Sequence, residues 1–302
     1  MRNKILIIIA ILSQLFLANK LLSQEIDIQA ADIEFINDQN LTIANNATAI
    51  IKKDGIIIKG KRIEYFKDKS FLFIKDGKIL TTSKNFEIDS DIIEYQIEGS
   101  NINLKENVIV KDIFNNLTMK SEEINYNLKQ RKIGSQKFSE INDEFNNTYK
   151  VDSFEYSIYE KVIKLDNLIA VDKNKNSFFV DLSYLDLTKK ELVAKDISMK
   201  FKLIENSENE PRLKGRSLIS NEKNTIIKKG TFTFCKKREE CPPWEMSADE
   251  IKHDKQKKTI YYKNASLKIY DKKIFYFPKF FHPDPTVKRQ SGFLIPRFQD
   301  NS

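Results

Sequence analysis

Cys235 and Cys241 are the only cysteines in the sequence, and His253 and His282 the only histidines. Two cysteines separated by Lys-Lys-Arg-Glu-Glu read as a disulfide if the chain works in an oxidising compartment. A zinc site needs further ligands close by. One histidine is expected in a strand and the other in a Pro-flanked turn, so no metal is expected, and no cofactor. Glu34, Glu64, Glu94 and Glu155 are the acids that recur at regular spacing. A general acid or base among them would need burial and a neighbour to tune it, but each sits at an outward position of an alternating strand. The sequence has no nucleophile elbow, phosphate-binding glycine loop or His-rich cluster. No catalytic activity is expected.

Those glutamates belong to an internal repeat. Ile33-Glu34-Phe35, Ile63-Glu64-Tyr65, Ile93-Glu94-Tyr95, Ile124-Asn125-Tyr126 and Phe154-Glu155-Tyr156 recur with a period of 30 or 31 residues. Side chains alternate faces along a strand, so the apolar and aromatic members of a triplet share one face and the polar member takes the other. Seven residues before the last four aromatics stand Ile58, Ile88, Met119 and Tyr149. Lys59-Gly60-Lys61-Arg62 and Asp89-Ser90-Asp91 read as corners, and Asn46-Ala47, Asp76-Gly77 and Asn107-Val108 as turn-formers at a fixed place in each unit. One unit is then a strand, a corner and a second strand, turning back at a polar loop. Such units bury their apolar face only by stacking. The result is an all-β chain whose wall is either a closed core or an open groove, and the pattern alone leaves that choice open. The rhythm fades after about residue 200.

The ends of the chain bound its location. Met1-Arg2-Asn3-Lys4 leads into the apolar run Ile5 to Ala18, the form of a secretory signal peptide, with cleavage after Ala18 or Ser23. A membrane-spanning helix needs ~20 apolar residues, more than this run offers. Export makes nucleic acid an unlikely-to-be-met ligand despite the formal net charge of +8, and no nucleic-acid partner is expected.

The segment from Ile274 through Phe275-Tyr276-Phe277-Pro278 to Arg289-Gln290-Ser291-Gly292-Phe293-Leu294-Ile295-Pro296, preceded by Cys241-Pro242-Pro243-Trp244, resembles the lipopolysaccharide-assembly outer-membrane proteins (LptD, or organic solvent tolerance proteins). The repeats are similar to that family's OstA-like β-jelly-roll. The resemblance implies a signal peptide over 1–23, a periplasmic jelly-roll over 24–274 and the first strand of a truncated transmembrane β-barrel over 275–302. It also implies residence at the cell outer membrane with this portion facing the periplasm. The wall becomes an open groove that passes lipopolysaccharide acyl chains, lined by Ile58, Ile63, Tyr65, Ile88, Ile93, Tyr95, Met119, Ile124, Tyr126, Tyr149, Phe154 and Tyr156. The expected partners are lipopolysaccharide, a jelly-roll bridge protein of the periplasm, the outer membrane and an outer-membrane lipoprotein plug. Pro296 matches a barrel-seam position, where a missing N–H weakens strand pairing. Cys235 matches a cysteine that joins this domain to the barrel. Cys241 leaves the connectivity open between a local pair and two bonds to the barrel. The alternatives are a soluble periplasmic bridge made only of the jelly-roll and an extracellular β-solenoid enzyme that cleaves polysaccharide. The first prediction concerns export: expressed with its own leader, the protein is recovered from the periplasm trimmed and without free thiols, as mass spectrometry and thiol titration would show.

Overall fold

The computed structural model describes residues 26–145, 147–171, 177–200, 210–235, 244–270, 272–284 and 287. The leader, Cys241 and Pro296 lie outside them. Cys235 is described only as the last residue of a strand. The described chain is all-β, apart from two single 3-10 turns, and no helix in it is long and apolar enough to cross a membrane.

Two short segments, β1 (Asp27–Gln29) and β2 (Asp32–Ile36), pair with β3 (Leu41–Ile51). An antiparallel meander continues through β4 (Ile56–Phe66), β5 (Phe71–Thr81), β6 (Phe86–Gln96), β7 (Asn101–Asp112) and β8 (Leu117–Asn127). The next two positions are each split, into β9 (Lys132–Ser135) with β10 (Ser139–Asn142), and β11 (Thr148–Val151) with β12 (Ser153–Ser157). β13 (Val162–Val171), β14 (Ser177–Asp186), β15 (Glu191–Lys200), β16 (Glu210–Ser220), β17 (Asn224–Cys235), β18 (Trp244–Asp254), β19 (Thr259–Ile269) and β20 (Lys272–Pro283) complete one sheet. A 30-residue unit is therefore two eleven-residue strands with two short turns.

Each long strand is bent at its middle. In β3 the inward residues are Ala47, Ala49 and Ile51 after the bend, with Ala44 before it. In β4 they are Ile56, Ile58 and Gly60, then Ile63. The inward parity changes at the bend, so the two halves of one strand lie in two half-sheets whose apolar faces meet. Left-handed residues mark the bends of alternate strands: Asn46, Asp76, Glu106 and Asn107, Asn167, Asp196, Lys229 and Asn264 all have positive φ. Such an extra residue bends a strand and leaves itself unpaired, and Asn and Asp tolerate that backbone best among residues with a Cβ. Accordingly Asn45 pairs with Arg62 and Ala47 with Gly60, leaving Asn46 and Lys61 out of the ladder.

Toward both ends of the sheet the inner position next to the bend is small: Ala47, Gly60, Gly77 and Ser90 are successive cross-strand partners, and Gly230, Ala248 and Ala265 stand there near the other end, while Val108, Leu168 and Ile197 occupy it in β7, β13 and β15 between them. A Cβ on Gly60 would lie 2.4 Å from Ile74 Cγ2, and one on Gly215 2.2 Å from Ile227 Cγ2. Here the half-sheets approach too closely for a larger side chain. Ser90 Oγ is 2.8 Å from both Ile92 O and Lys105 O, where the β6–β7 register slips between Asp89 and Ile92, and its hydroxyl replaces the ladder bond lost there.

Several expectations change. Asn46, Asp76 and Asn107 do not reverse the chain; they bend a strand that continues, and the reversals fall at 37–40, 52–55, 67–70 and their equivalents. The rhythm does not end near residue 200, because Asp196, Lys229 and Asn264 carry the same bend. Its spacing lengthens to 33 and 35 residues between those positions, which hides it from a search at 30. The domain boundary expected at 274/275 falls within β20, where Phe277 pairs with Ala265 and Phe280 with Tyr262. Residues 275–283 thus continue the sheet. His282, expected in a turn, is buried in β20. Gly60→Ala should destabilise the fold by about 1–3 kcal/mol through overpacking against the β-branched methyl of Ile74, measured as a lowered urea midpoint with an unchanged slope.

Candidate functional site

The apolar interior between the half-sheets is the candidate site. Cross-strand pairing builds it from continuous rungs. Ile63, Ile74, Ile93, Leu104 and Ile124 form one. Tyr65, Leu72, Tyr95, Ile102, Tyr126, Ile133 and Tyr156 form a second, nearer the strand ends. Facing them from the other half-sheet run Ile58, Ile79, Ile88, Val110, Met119, Ile141 and Tyr149. All twelve residues expected to line the wall therefore point inward. Tyr65 is half-buried and the rest are buried, with Ile58, Ile63, Ile88, Ile93, Tyr95, Met119, Ile124 and Tyr156 at 0% exposure and Phe154 at 2%. Over this stretch the wall is shut on itself. Reasoning from the triplets missed the partners on intervening strands, such as Ile74, Ile79, Leu104 and Ile141; their signal was the period-2 alternation within strands like Phe71–Thr81. The first triplet differs, because Phe35 at the end of the sheet is 69% exposed.

On one side the interior is closed by the bent backbone. On the other, two rows of turns face each other, joined among the described residues by side chains only. Asp54, in the turn after β3, accepts hydrogen bonds from Tyr95 Oη and, at 2.8 Å, from Ser100 Oγ. One step along, the ring of Phe86 meets that of Tyr126 at 6.3 Å. At the next, Tyr156 Oη donates to Asp112 Oδ2 at 2.7 Å and receives Asn115 Nδ2 at 3.1 Å, while Lys161 Nζ lies 4.7 Å from the Phe114 ring centre. Beyond it Lys190 Nζ reaches Glu144 Oε1 at 2.6 Å. Hydrogen bonds to a charged partner contribute about 1.5–3 kcal/mol each, and a half-exposed ion pair such as Lys190–Glu144 less than about 1 kcal/mol.

From the Tyr156 step onward a cavity of about 1110 Å³ opens between the rows. Leu117, Tyr149, Ala170, Leu185, Leu192, Met199 and Leu218 line it, with Lys161, Lys190, Lys255, Lys258, Asp143 and Glu144 among its polar walls. At the far end of the interior Tyr262 Oη is 2.8 Å from His282 Nε2, and His282 Nδ1 donates to Pro283 O at 2.5 Å. These contacts fix a neutral tautomer, and burial holds the imidazole below its usual pKa. His253 Nε2 stands 2.7 Å from Asp284 Oδ2.

The outer face carries the charge. Glu94 pairs with Lys105 at 2.9 Å, Glu155 with Lys132 at 2.7 Å and Glu64 with Arg62 at 2.7 Å. The carboxyls of Asp249 and Glu250 are held low by hydrogen bonds from Lys229 and Lys228, opposite in direction to the raised pKa of a general acid. Among the described residues no group of three or more His, Cys, Asp or Glu is placed to hold a metal.

A family model described as "Lipopolysaccharide-assembly, LptC-related" matches residues 5–165, more than half of the sequence and nearly all of the closed stretch of the interior. The chain belongs to this lipopolysaccharide-assembly family. No curated protein matches it. Among solved structures, one similar chain is LptH of Pseudomonas aeruginosa, described as the LptA-homologous periplasmic component of the lipopolysaccharide transport device. It is 11% identical, with a TM-score of 0.22, over 47% of this chain and 82% of that one.

Burial also sets how the tyrosines titrate. Desolvation pushes Tyr126 from 10.0 up to about 12. Tyr149 and Tyr156 are raised further, by burial first and then by Asp143 and Asp112, and Tyr262 by burial alone. A group whose folded pKa exceeds its unfolded value stabilises fully below the unfolded pKa and loses that contribution as pH rises through the folded one. Stability should therefore fall from about pH 10 upward, and these four tyrosines should yield no phenolate absorbance until the chain unfolds. Stepwise ionisation of all eleven tyrosines near pH 10 with the circular dichroism unchanged would contradict this.

Proposed function

We propose that this chain carries lipopolysaccharide across the periplasm with its acyl chains between the two half-sheets and its sugars outside. The observation that carries this reading is the apolar interior, aligned rung by rung across the sheet and opening into a cavity whose Leu, Met and Ala are bordered by polar and charged residues. Burial of apolar surface is worth ~25 cal/mol per Å², so a lipid with several acyl chains crosses water only in an apolar sleeve. Over the closed stretch the residues named for the groove touch lipid only when the half-sheets part.

Delivery needs neighbours on both sides. Among the described residues β20 is an edge strand with Ile274, Phe275, Tyr276 and Phe281 exposed, and Phe35 is exposed at the opposite end. Exposed apolar edges of this kind are templates for further strands and suit a jelly-roll bridge protein that prolongs the sleeve. The finer reading, in which the chain leads into an outer-membrane barrel served by a lipoprotein plug, rests on the resemblance of residues 289–296, with Pro296 at the barrel seam and a cysteine bond from Cys235 or Cys241. The reading frame beyond Ser302 tests it, since barrel strands appear as ~10-residue alternating segments. A frame that ends there favours a soluble bridge.

The carrying function is tested by photo-crosslinking in cells. A crosslinker at Ile63, Ile93, Ile124 or Phe154 should capture lipopolysaccharide, while one at Glu64, Glu94, Asn125 or Glu155, on the opposite face, should not. Equal capture from both faces, or none from either, would make the interior an ordinary core.

A further inference from the structure

We infer that the interior is loaded sideways, through the seam between the two rows of turns, and that Tyr95 with Asp54 and Tyr156 with Asp112 are the latches that keep its N-terminal stretch shut. This rests on the lipid-carrying function proposed above. The bends on the opposite side are continuous backbone within a hydrogen-bonded ladder, so the half-sheets separate there only by breaking strands. Across the seam no backbone ladder runs. The contacts joining Asp54 to Ser100 and Asp112 to Tyr156 link residues 46 and 44 apart in sequence that sit on strands not paired with each other.

The latches are placed with the period of the fold. Asp54 and Asp112 both lie at turns of one row, and Tyr95 and Tyr156 both end inward rungs of the opposite half-sheet. At the intervening step Tyr126 occupies the same rung, but only ring contact with Phe86 closes the seam, and its hydroxyl has no hydrogen bond among the described residues. The cavity begins at the Tyr156 step, with Phe114, Asn115 and Lys161 of that step and the weaker Lys190–Glu144 pair in its wall. Among the described residues the sheet is thus shut where side chains of the two rows meet across the seam, at Asp54–Tyr95, Phe86–Tyr126 and Asp112–Tyr156, and hollow beyond them. An amphiphile is accepted first at the hollow end, and its acyl chains advance toward the N-terminal end as latches open in turn.

Phenylalanine at position 95 or 156 removes the hydroxyl and keeps the ring, so the core stays filled. The test compares Tyr95→Phe, Tyr156→Phe, the double variant and the control Tyr184→Phe, at an exposed tyrosine of the outer face, in the exported protein. Two readouts are taken: backbone amide exchange of the turns at 52–55, 97–100 and 113–116 without lipid, and uptake of fluorescently labelled lipid A. The expected result is roughly tenfold faster exchange of those turns in the latch variants, as loss of about 1.4 kcal/mol would give, with the bend residues 60–62 unchanged. Lipid A uptake accelerates by a similar factor, and the control matches the parent in both. Uptake unchanged in the double variant would overturn the inference while leaving the carrying function intact, and so would a Tyr184→Phe effect equal to that of Tyr95→Phe. Absence of uptake by the parent and every variant, with exchange accelerated, would overturn the carrying function and reduce the latches to a structural clasp.

Discussion

The architecture depends on how closely the two half-sheets can approach at the bend, and toward the ends of the sheet this calls for an inward side chain of almost no size, whereas Val108, Leu168 and Ile197 fill that place in β7, β13 and β15. Ala47, Gly60, Gly77 and Ser90 meet this condition in succession, and the Cβ a larger residue would bring to Gly60 falls inside the van der Waals envelope of Ile74. With that space free, a left-handed residue in alternate strands bends the strand without ending it, and the sheet closes over its own apolar face. Sandwiches made of separate sheets need loops to join them. Here every long strand contributes to both layers, so the interior has one side of continuous backbone and one side of side chains only.

That asymmetry sets what can move. Each strand pair is held by a ladder of backbone hydrogen bonds, cooperative along its length, whereas the seam is held at each step by one or two polar contacts or an aromatic pair. Local opening draws on the elements with the fewest buried contacts and the most isolated hydrogen bonds. A seam that parts while the sheet stays intact lets an apolar cargo stay against an apolar wall throughout, and the charged outer face, with Glu94 on Lys105 and Glu155 on Lys132, remains solvated.

The period and the inward residues were legible because they follow from alternation: Ile63, Ile93, Ile124 and Phe154 share a face in any strand reading of their triplets. The bend was legible only as polar residues and was taken in part for a chain reversal, since Asn46 and Asp76 serve turns and mid-strand bulges equally well. What separates the two is the small inward neighbour, Ala47 or Gly77, which a reversal would not require. The C-terminal third was hidden because its bends are spaced 33 and 35 residues apart and its rungs replace Tyr with Ser220, Thr225 and His253. The cross-seam pairs were not legible at all. Asp54 and Tyr95 meet only because the two rows of turns are staggered by about one and a half repeats, a consequence of strand tilt that one-dimensional spacing does not encode.

The change in the outermost rung toward the C-terminal end follows the same logic. From Tyr65 to Leu192 that rung is tyrosine, leucine and isoleucine, and it then becomes Ser220, Thr225, His253, Ile260 and His282. The rung beneath it stays apolar, with Leu218, Ile227, Ile251, Tyr262 and Phe280. Buried polar groups are stable only when paired; His282 meets that requirement with Tyr262, while His253 Nε2 lies 2.7 Å from Asp284 Oδ2 in a contact whose geometry is not that of a hydrogen bond. An apolar floor beneath a polar lip, beside a cavity bordered by Lys255 and Lys258, reproduces in the wall the boundary between acyl chain and headgroup in a lipid. The N-terminal stretch, apolar to its outermost rung, matches acyl chains alone. The two stretches differ in what they present at the seam, and under the proposed carrying function that difference would orient an amphiphile whose chains lie inside.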